Sequence, residues 1–247
     1  LIHGFSVPLF LWDPTFAGLV DAGFRVLRYD LFGRGYSDRP DTIYDQALYD
    51  RQLCDLLDAL GFTASVNLVG LSMGGAIAVG FTAQHPECVH KLALLAPAGF
   101  PTPASRMFWT MRIPGLGEWL FDRFGEKLIV GGLAKDFRVR EKAQELEARY
   151  RMQMQYQGFK RALLSTLRHG PISTMADAYR AVGQQTCPVL LIWGRDDQTV
   201  PFALNEKVRA AIPRAEFHPI DNAGHAMHYE KPKIVNPLLA AFFGQRT

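Results

Sequence analysis

The chain has 247 residues, of which 48% are hydrophobic and 21% are charged. This length fits one large α/β domain or two small ones, and the ordinary charged fraction excludes global disorder. A formal net charge of +3 is too small to indicate nucleic-acid binding. No apolar run reaches the roughly 20 residues that a membrane-spanning helix needs, so stable membrane insertion is not expected.

The cysteines and the metal-binding patterns exclude two further classes of protein. Cys54, Cys88 and Cys187 are an odd number without a close pair, which speaks against a disulfide framework and against a CxxC zinc site. No HxH or HExxH spacing occurs, so we expect neither a metal nor another cofactor. No signal-peptide pattern is visible, which favours a cytoplasmic location. Because Leu1 reads as part of a buried strand, we expect further residues in front of it.

Predicted strands and helices alternate in the first hundred residues and again after residue 178. The predicted strands lie at 24–29, 66–71, 91–95, 189–193 and 216–220. The predicted helices lie at 42–60, 74–81, 202–212 and 233–243. This alternation predicts an α/β fold, with a mostly parallel central sheet and helices on both faces.

Between residues 101 and 178 the alternation stops, and only helical patterns occur. They lie at 117–130, 139–157 and 158–168. We therefore predict a first core segment at 1–100, an inserted helical cap at 101–178 and a second core segment at 179–247. The insert has more basic than acidic residues, and we interpret its charges mainly as a solvated helical face.

The pentapeptide Gly-Leu-Ser-Met-Gly at residues 70–74 follows a predicted strand and precedes a helix of small residues. In a G-x-S-x-G turn of this kind, a strained backbone holds the serine hydroxyl above the sheet edge, and the glycines let neighbouring backbone pass close by. The helix N-terminus also favours developing negative charge. Ser72 is therefore the predicted nucleophile, in preference to a serine that only caps the helix.

A serine nucleophile needs a base, and the base needs an acid that orients it. Asp196 and Asp197 follow the strand predicted at 189–193, and His225 follows the strand predicted at 216–220. All three therefore lie at the carboxyl edge of the sheet, where Ser72 also lies. His225 is the predicted base, and on position alone either aspartate is eligible as the acid.

The chain resembles the α/β-hydrolase superfamily, in the branch that carries a helical cap. The resemblance covers both core segments, and the order serine, aspartate, histidine is that of the family's triad. It rests on five motifs: His3-Gly4-Phe5, Asp30-x-x-Gly33-x-Gly35-x-Ser37, Gly70-x-Ser72-x-Gly74, Gly194-x-x-Asp197-x-x-x-Pro201, and Gly224-His225 followed by Glu230-x-Pro232.

The resemblance implies roles for individual residues. The acid is Asp197, because the family places it three residues after the glycine and four before the proline, which leaves Asp196 as a solvated or turn-capping carboxylate. The backbone N–H groups of Phe5 and Met73 would form an oxyanion hole. The loop at 30–37 would be a structural turn beneath them. The family also usually has two further strands before the His-Gly turn.

The same resemblance implies a cap that lies over the triad, excludes water and shapes an apolar pocket. Leu9, Trp12, Trp109 and His228 are candidates to line this pocket. The apolar residues of the insert favour a carboxylic ester with small to medium hydrophobic groups, as in carboxylesterases and monoacylglycerol-type lipases. Ser72 would attack the ester, and water would then release the acid from an acyl-enzyme.

The triad alone does not select the bond that is cleaved. The family includes C–C hydrolases of diketone-like ring-cleavage products, thioesterases, amidases and cofactor-free perhydrolases or haloperoxidases, as well as receptors that retain a triad. The expected partner is a small hydrophobic molecule and not a nucleic acid, and the sequence leaves the oligomeric state open.

Overall fold

The centre of this computed structural model is a sheet of four parallel strands in the order β1-β2-β3-β4. The strands are β1 (Val66–Leu71), β2 (Val89–Leu95), β3 (Val189–Gly194) and β4 (Glu216–Ile220). The structure describes residues 1–102, 108–138 and 140–244, and leaves the side chains of residues 108, 109, 128 and 133–136 undescribed. All residues of β3 and nearly all of β2 are buried, as in a parallel sheet that is covered on both faces.

The helices follow the predicted pattern with small differences in their bounds. In chain order they are α1 (Asp13–Asp21), α2 (Gln46–Ala59), α3 (Met73–Gln84), α4 (Leu116–Asp136), α5 (Arg140–Gln153), α6 (Phe159–His169), α7 (Ala176–Gln184), α8 (Asn205–Ala211), α9 (Met227–Glu230) and α10 (Pro232–Gly244). Short 3-10 turns lie at Leu9–Trp12, Pro86–Cys88, Phe108–Arg112 and Phe202–Leu204.

Helices cover both faces of the sheet, which confirms the predicted fold class. Helix α3 packs on β1 and β2 and contacts α2 and α7. Helices α1 and α10 pack against each other, and the buried Lys91 of β2 donates from Nζ to the carbonyl of Phe242 in α10 at 2.9 Å. Because the strands are parallel, their carboxyl ends and the loops that follow them share one edge of the sheet.

The strand predicted at residues 24–29 is wrong in extent. In the described chain only Tyr29 of this segment is paired, through a single bridge to Ile2, which also bridges Gly70. A strand needs several consecutive pairs, and one bridge does not make a ladder. The β-branched and aromatic residues at 24–29 therefore form an extended stretch without a ladder.

The described residues of the predicted insert include four helices, and α4 packs with α5 and α6. Helix α4 runs through Gly131 and Gly132, beyond the end predicted at residue 130. Helix α7 spans the predicted end of the cap at residue 178 and packs on α3 of the core. Among the described residues, no helix combines the length and the apolar character needed to cross a membrane.

Candidate active site

Ser72 occupies a strained turn between β1 and α3. Its backbone has φ 56° and ψ −122°, which is a conformation that costs a non-glycine residue about 1–3 kcal/mol. The turn is held from two sides: Ser72 N donates to Leu95 O at 3.0 Å, and Ser72 O accepts from Ala98 N at 2.9 Å. The strand-to-helix elbow that the G-x-S-x-G pattern predicts is therefore present.

The glycines beside Ser72 make room for neighbouring backbone. A Cβ atom on Gly74 would lie 2.2 Å from Ile2 O and 2.4 Å from His3 O, so the His-Gly turn packs directly on the elbow. A Cβ atom on Gly70 would lie 2.3 Å from Gly74 O. Real Cβ atoms do not approach oxygen so closely, and both positions therefore require glycine.

The structure brings His225 and Asp197 together. Nδ1 of His225 lies 2.7 Å from Oδ2 of Asp197, and both side chains are buried. The other carboxylate oxygen accepts from Thr199 N at 2.8 Å and from Val200 N at 2.9 Å, so the loop at residues 194–201, the acid loop, holds the carboxylate in place. A ring that donates from Nδ1 carries its lone pair on Nε2, the nitrogen that acts as a base.

Asp196 has different partners from its neighbour. Its Oδ2 lies 2.6 Å from Nη1 of Arg138 in the insert, and its carboxylate is 39% exposed. Its backbone N–H donates to Ala223 O at 3.0 Å, which joins the acid loop to residues 221–226, the base loop. The geometry therefore favours Asp197 over Asp196 as the acid.

Ser72 and His225 line one cavity of about 250 Å³, the serine cavity, between the sheet edge and the cap. Most of its walls are apolar side chains from both parts of the chain. They include Val7, Leu11, Met111, Phe121, Ile129 and Leu167. A cavity of this kind excludes water from the hydroxyl and suits a hydrophobic ligand.

Phe5 and Met73 line the same cavity beside Ser72. Met73 is the first residue of α3, so its N–H has no acceptor within the helix. A Cβ atom on Gly4 would lie 3.8 Å from the Ser72 hydroxyl oxygen, so the turn that carries Phe5 passes next to that hydroxyl. Both candidate oxyanion donors are thus adjacent to the serine, and their role remains a prediction.

Comparison with known proteins identifies the family of this chain. A family model described as the alpha/beta hydrolase family matches residues 1–238. The chain belongs to the alpha/beta hydrolase family. Its sequence is 31% identical to the AB hydrolase superfamily protein YisY of Bacillus subtilis over 255 residues, which cover 98% of this chain and 89% of that protein.

A second relative of this hydrolase is the 2-hydroxy-6-oxo-6-phenylhexa-2,4-dienoate hydrolase of Comamonas testosteroni. The two sequences are 31% identical over 258 residues, which cover 100% of this chain and 87% of the relative. Among solved structures, the enol-lactonase from Burkholderia xenovorans LB400 superimposes with a TM-score of 0.83 at 23% identity. The match covers 99% of this chain and 90% of the lactonase, and it supports the fold alone.

None of the four residues predicted to line the pocket of this hydrolase is a described lining residue of the serine cavity. Leu9 lines a separate cavity of about 100 Å³, and it is Leu11 that lines the serine cavity, because the 3-10 turn at Leu9–Trp12 directs successive side chains to different sides. Trp12 and His228 are buried against each other, with ring centroids 4.4 Å apart, and neither is among the residues lining the serine cavity. The side chain of Trp109 lies outside the described part of the chain.

His228 and His3 are buried histidines with structural contacts. His228 donates from Nε2 to Leu11 O at 3.1 Å, and burial lowers its pKa to about 3. His3 hydrogen-bonds Gly4 O through Nδ1 and accepts from Leu31 N through Nε2, each at 2.9 Å, and burial lowers its pKa to about 4. Both rings are therefore neutral at pH 7, and His3 ties the His-Gly turn to the loop at 30–37.

Arg34 contacts the His-Gly turn that carries Phe5, and the sequence analysis did not single out this arginine. Its buried guanidinium donates from Nε to Phe5 O at 2.9 Å, and from Nη1 to Tyr49 Oη at 2.7 Å. From Nη2 it reaches Thr166 Oγ1 of the cap helix α6 at 2.9 Å. The only feature of the sequence that draws attention to Arg34 is its position in the Asp30–Ser37 motif, and that motif predicted only a turn.

Within residues 1–102, 108–138 and 140–244, no group of three or more His, Cys, Asp or Glu side chains is arranged to hold a metal ion. The cysteines of this part of the chain are unbridged. None of them is among the described residues that line the serine cavity.

Proposed function

We propose that this protein is a serine hydrolase that cleaves carboxylic esters with small to medium hydrophobic groups, using Ser72, His225 and Asp197. The observation that carries the proposal is the 2.7 Å contact between His225 Nδ1 and Asp197 Oδ2, beside an apolar cavity that Ser72 also lines. Membership of the alpha/beta hydrolase family agrees with it.

In the proposed reaction, Ser72 Oγ attacks the ester carbonyl while His225 Nε2 takes the hydroxyl proton. The oxygen that becomes negative lies against the N–H groups of Phe5 and Met73, each worth about 2.7–4 kcal/mol of barrier in comparable sites. His225 then gives its proton to the departing alcohol, which leaves an acyl group on Ser72. Water attacks this acyl-enzyme, with His225 again taking the proton, and the acid is released.

The lining of the serine cavity supports a neutral substrate. None of the lining residues that the structure describes is Lys, Arg, Asp or Glu. Apart from Ser72 and His225, the polar lining side chains carry hydroxyl groups, as Ser6 does. A carboxylate buried in such a cavity would lack a cationic partner, which is costly, whereas an uncharged ester is not penalised in this way.

Cleavage of a C–C bond is the second candidate. The Comamonas testosteroni relative is named as a hydrolase of 2-hydroxy-6-oxo-6-phenylhexa-2,4-dienoate. That substrate carries a phenyl ketone, which suits the apolar walls, and a carboxylate, which the described walls do not match. The same three residues would serve, because attack on a ketone carbonyl also needs an activated serine and an oxyanion site.

A panel of p-nitrophenyl esters from acetate to palmitate tests the proposal. We expect turnover that is highest for short or medium acyl chains, and we expect Ser72→Ala to lower kcat by about 10⁶-fold. Labelling by a fluorophosphonate should disappear in the same variant. Ser65→Ala, which alters an exposed serine, is the matched control and should keep wild-type turnover.

The two candidate functions separate on one further substrate. Turnover of a 2-hydroxy-6-oxo-6-phenyldienoate without turnover of any ester would replace the ester proposal with C–C hydrolysis. No fluorophosphonate labelling of the wild-type protein would contradict both. Ester turnover that survives in His225→Ala would exclude His225 as the base.

A further inference from the structure

The side chain of Glu230 connects the base loop to the cap. It is 9% exposed, and both of its carboxylate oxygens accept hydrogen bonds from backbone N–H groups. Oε2 accepts from Gly224, the residue before His225, at 2.8 Å, and Oε1 accepts from Arg138, which precedes cap helix α5. The Glu230-x-Pro232 motif therefore carries a contact that the proposed reaction does not use directly.

Arg138 also reaches the acid loop. Its side chain pairs with Asp196, which is adjacent to Asp197. The backbone of Asp196 is in turn bonded to Ala223 of the base loop. One residue of the cap thus contacts the acid loop through its side chain and the base loop through its backbone and Glu230.

The next turn of the cap strengthens this connection. Lys142 Nζ donates to Tyr229 O at 2.8 Å and to Glu230 O at 2.9 Å, the last two carbonyls of α9. Tyr229 Oη donates to Glu145 at 3.0 Å. Because the last carbonyls of a helix have no partner within it, the lysine satisfies groups that would otherwise need water.

We propose that Glu230 is a positioning residue for His225, and that docking of the cap residues Arg138 and Lys142 on Glu230 and Asp196 sets the geometry of the Asp197–His225 pair. This inference rests on the proposed triad. An imidazole that must take and return a proton tolerates little displacement, and a misplacement of about 1 Å costs on the order of 100-fold in rate. The cap therefore supports the triad from outside as well as covering the substrate.

Glu230→Gln is the sharpest test, because it keeps the size of the side chain. Both oxygens of Glu230 accept from N–H donors, so the NH₂ group of the glutamine amide would face one of these donors and could not accept from it. We expect kcat per active site and the rate of fluorophosphonate labelling to fall by roughly 10- to 100-fold, with KM within about 2-fold of wild type. The final labelled fraction, which counts folded sites, should equal that of the wild-type protein.

Asp50→Asn is the matched control. The Asp50 carboxylate is also buried, accepts from Gln46 and Gln84, and lies on α2 outside the serine cavity. We expect this variant to lose thermal stability while keeping wild-type kcat per labelled site. If Glu230→Gln behaves in the same way, Glu230 has only a structural role and the inference is wrong.

A double-mutant cycle on the protein surface covers the case in which Glu230→Gln does not fold. Arg138 and Asp196 are 51% and 39% exposed, so their pair contributes modestly, and we expect Arg138→Ala and Asp196→Ala each to slow labelling by about 2- to 5-fold. The double variant should be no slower than the slower single variant. Wild-type labelling rates in all three would overturn the role of the cap. A wild-type protein that does not label would instead contradict the proposed triad itself.

Discussion

Ser72 holds a backbone conformation that β1 and α3 impose on it, and the flanking glycines permit that conformation. Sequence reasoning found this residue because the G-x-S-x-G pattern describes backbone geometry, and backbone geometry is local. Sequence reasoning assigned no role to Arg34, and it named Glu230 only as part of a motif, because the partners of both lie far away along the chain. Arg34 meets Thr166, and Glu230 meets Arg138, only after the cap has docked. Nothing in the neighbouring residues signals such contacts.

Gly74→Ala should disrupt the elbow, because the new Cβ atom would collide with two backbone oxygens of the His-Gly turn. We expect a loss of about 2–4 kcal/mol in the free energy of unfolding, measured by urea denaturation, together with loss of turnover. Gly131→Ala is the control: its site in α4 has open space around it, so alanine should stabilise the protein by about 0.5–1 kcal/mol. Equal stability of the two variants would contradict the close approach.

The two neighbouring aspartates should differ sharply in their effect on catalysis. Asp197→Asn leaves the side chain in place but alters the tautomer and charge that His225 meets, and we expect kcat to fall by about 10⁴-fold. Asp196→Asn weakens an exposed ion pair and should change kcat by less than about 5-fold. Steady-state kinetics on the best p-nitrophenyl ester measures both, and a reversed order would exchange the assignments.

Helix α9 follows the base loop, and its residue His228 contacts the 3-10 turn at Leu9–Trp12. Its buried ring packs against Trp12 at a tilted angle and donates to Leu11 O. The sequence predicted a pocket histidine here because of the distance to His225, three residues along the chain. A helical turn after His225 instead directs His228 toward the Leu9–Trp12 turn, and this direction depends on how the base loop ends.

The stability of the fold should decrease in acid because of this histidine. Burial lowers the pKa of His228 from 6.5 to about 3, so below pH 6.5 the unfolded chain binds a proton that the folded chain does not. The contribution is complete above pH 6.5 and decreases by up to about 1.4 kcal/mol per pH unit as the pH falls toward 3. His228→Phe, which keeps an aromatic ring beside Trp12, should flatten this dependence by about that amount.

Urea unfolding between pH 7 and pH 4.5 measures the effect. His90→Gln is the control, because that side chain is exposed, and it should keep the wild-type pH dependence. His3 contributes in the same direction, since burial lowers its pKa to about 4, so some acid sensitivity should remain in His228→Phe. If His228→Phe keeps the full wild-type pH dependence, the protonation of His228 does not differ between the folded and the unfolded chain.

The regular elements differ in how well the sequence predicted them. Strands β1 and β4 have the predicted bounds, because short apolar runs between turn residues describe buried parallel strands well. The segment 24–29 has the same composition but lacks a ladder beside it, and pairing is not a property of one segment. Helix α4 continues through two glycines that suggested an end, because tertiary packing outweighs a cost of about 1 kcal/mol per glycine.

The whole molecule consists of a sheet and a cap that meet at several polar contacts. On the oxyanion side, Arg34 bonds to Phe5 O of the core and to Thr166 of the cap. At the acid loop, Arg138 pairs with Asp196. Arg138 and Lys142 both bond to helix α9, whose Glu230 holds the base loop through Gly224. The parallel sheet with inserted helices could be predicted from the alternation of elements. The substrate could not, because the walls of the serine cavity come from cap helices whose positions depend on these contacts.

Arg34→Lys should loosen the connection between cap and core. A lysine ammonium cannot reproduce the planar set of contacts to Phe5 O, Tyr49 and Thr166, so buried acceptors would be left without donors. We expect a loss of about 3 kcal/mol in the free energy of unfolding, measured by urea denaturation. Arg112→Lys, on an exposed side chain, should change it by less than about 0.5 kcal/mol. Similar values for both variants would exclude a bridging role for Arg34.

Ser72 and His225 come from opposite halves of the chain, with the entire cap between them, and they meet only where parallel strands end side by side. Each parallel pairing closes a long loop, and such pairings form slowly during folding. A chain that refolds from urea should therefore recover its helical circular dichroism before it recovers reactivity toward a fluorophosphonate. Covalent labelling then reports the completion of folding, and a partly folded chain lacks the reactive serine that the assembled site provides.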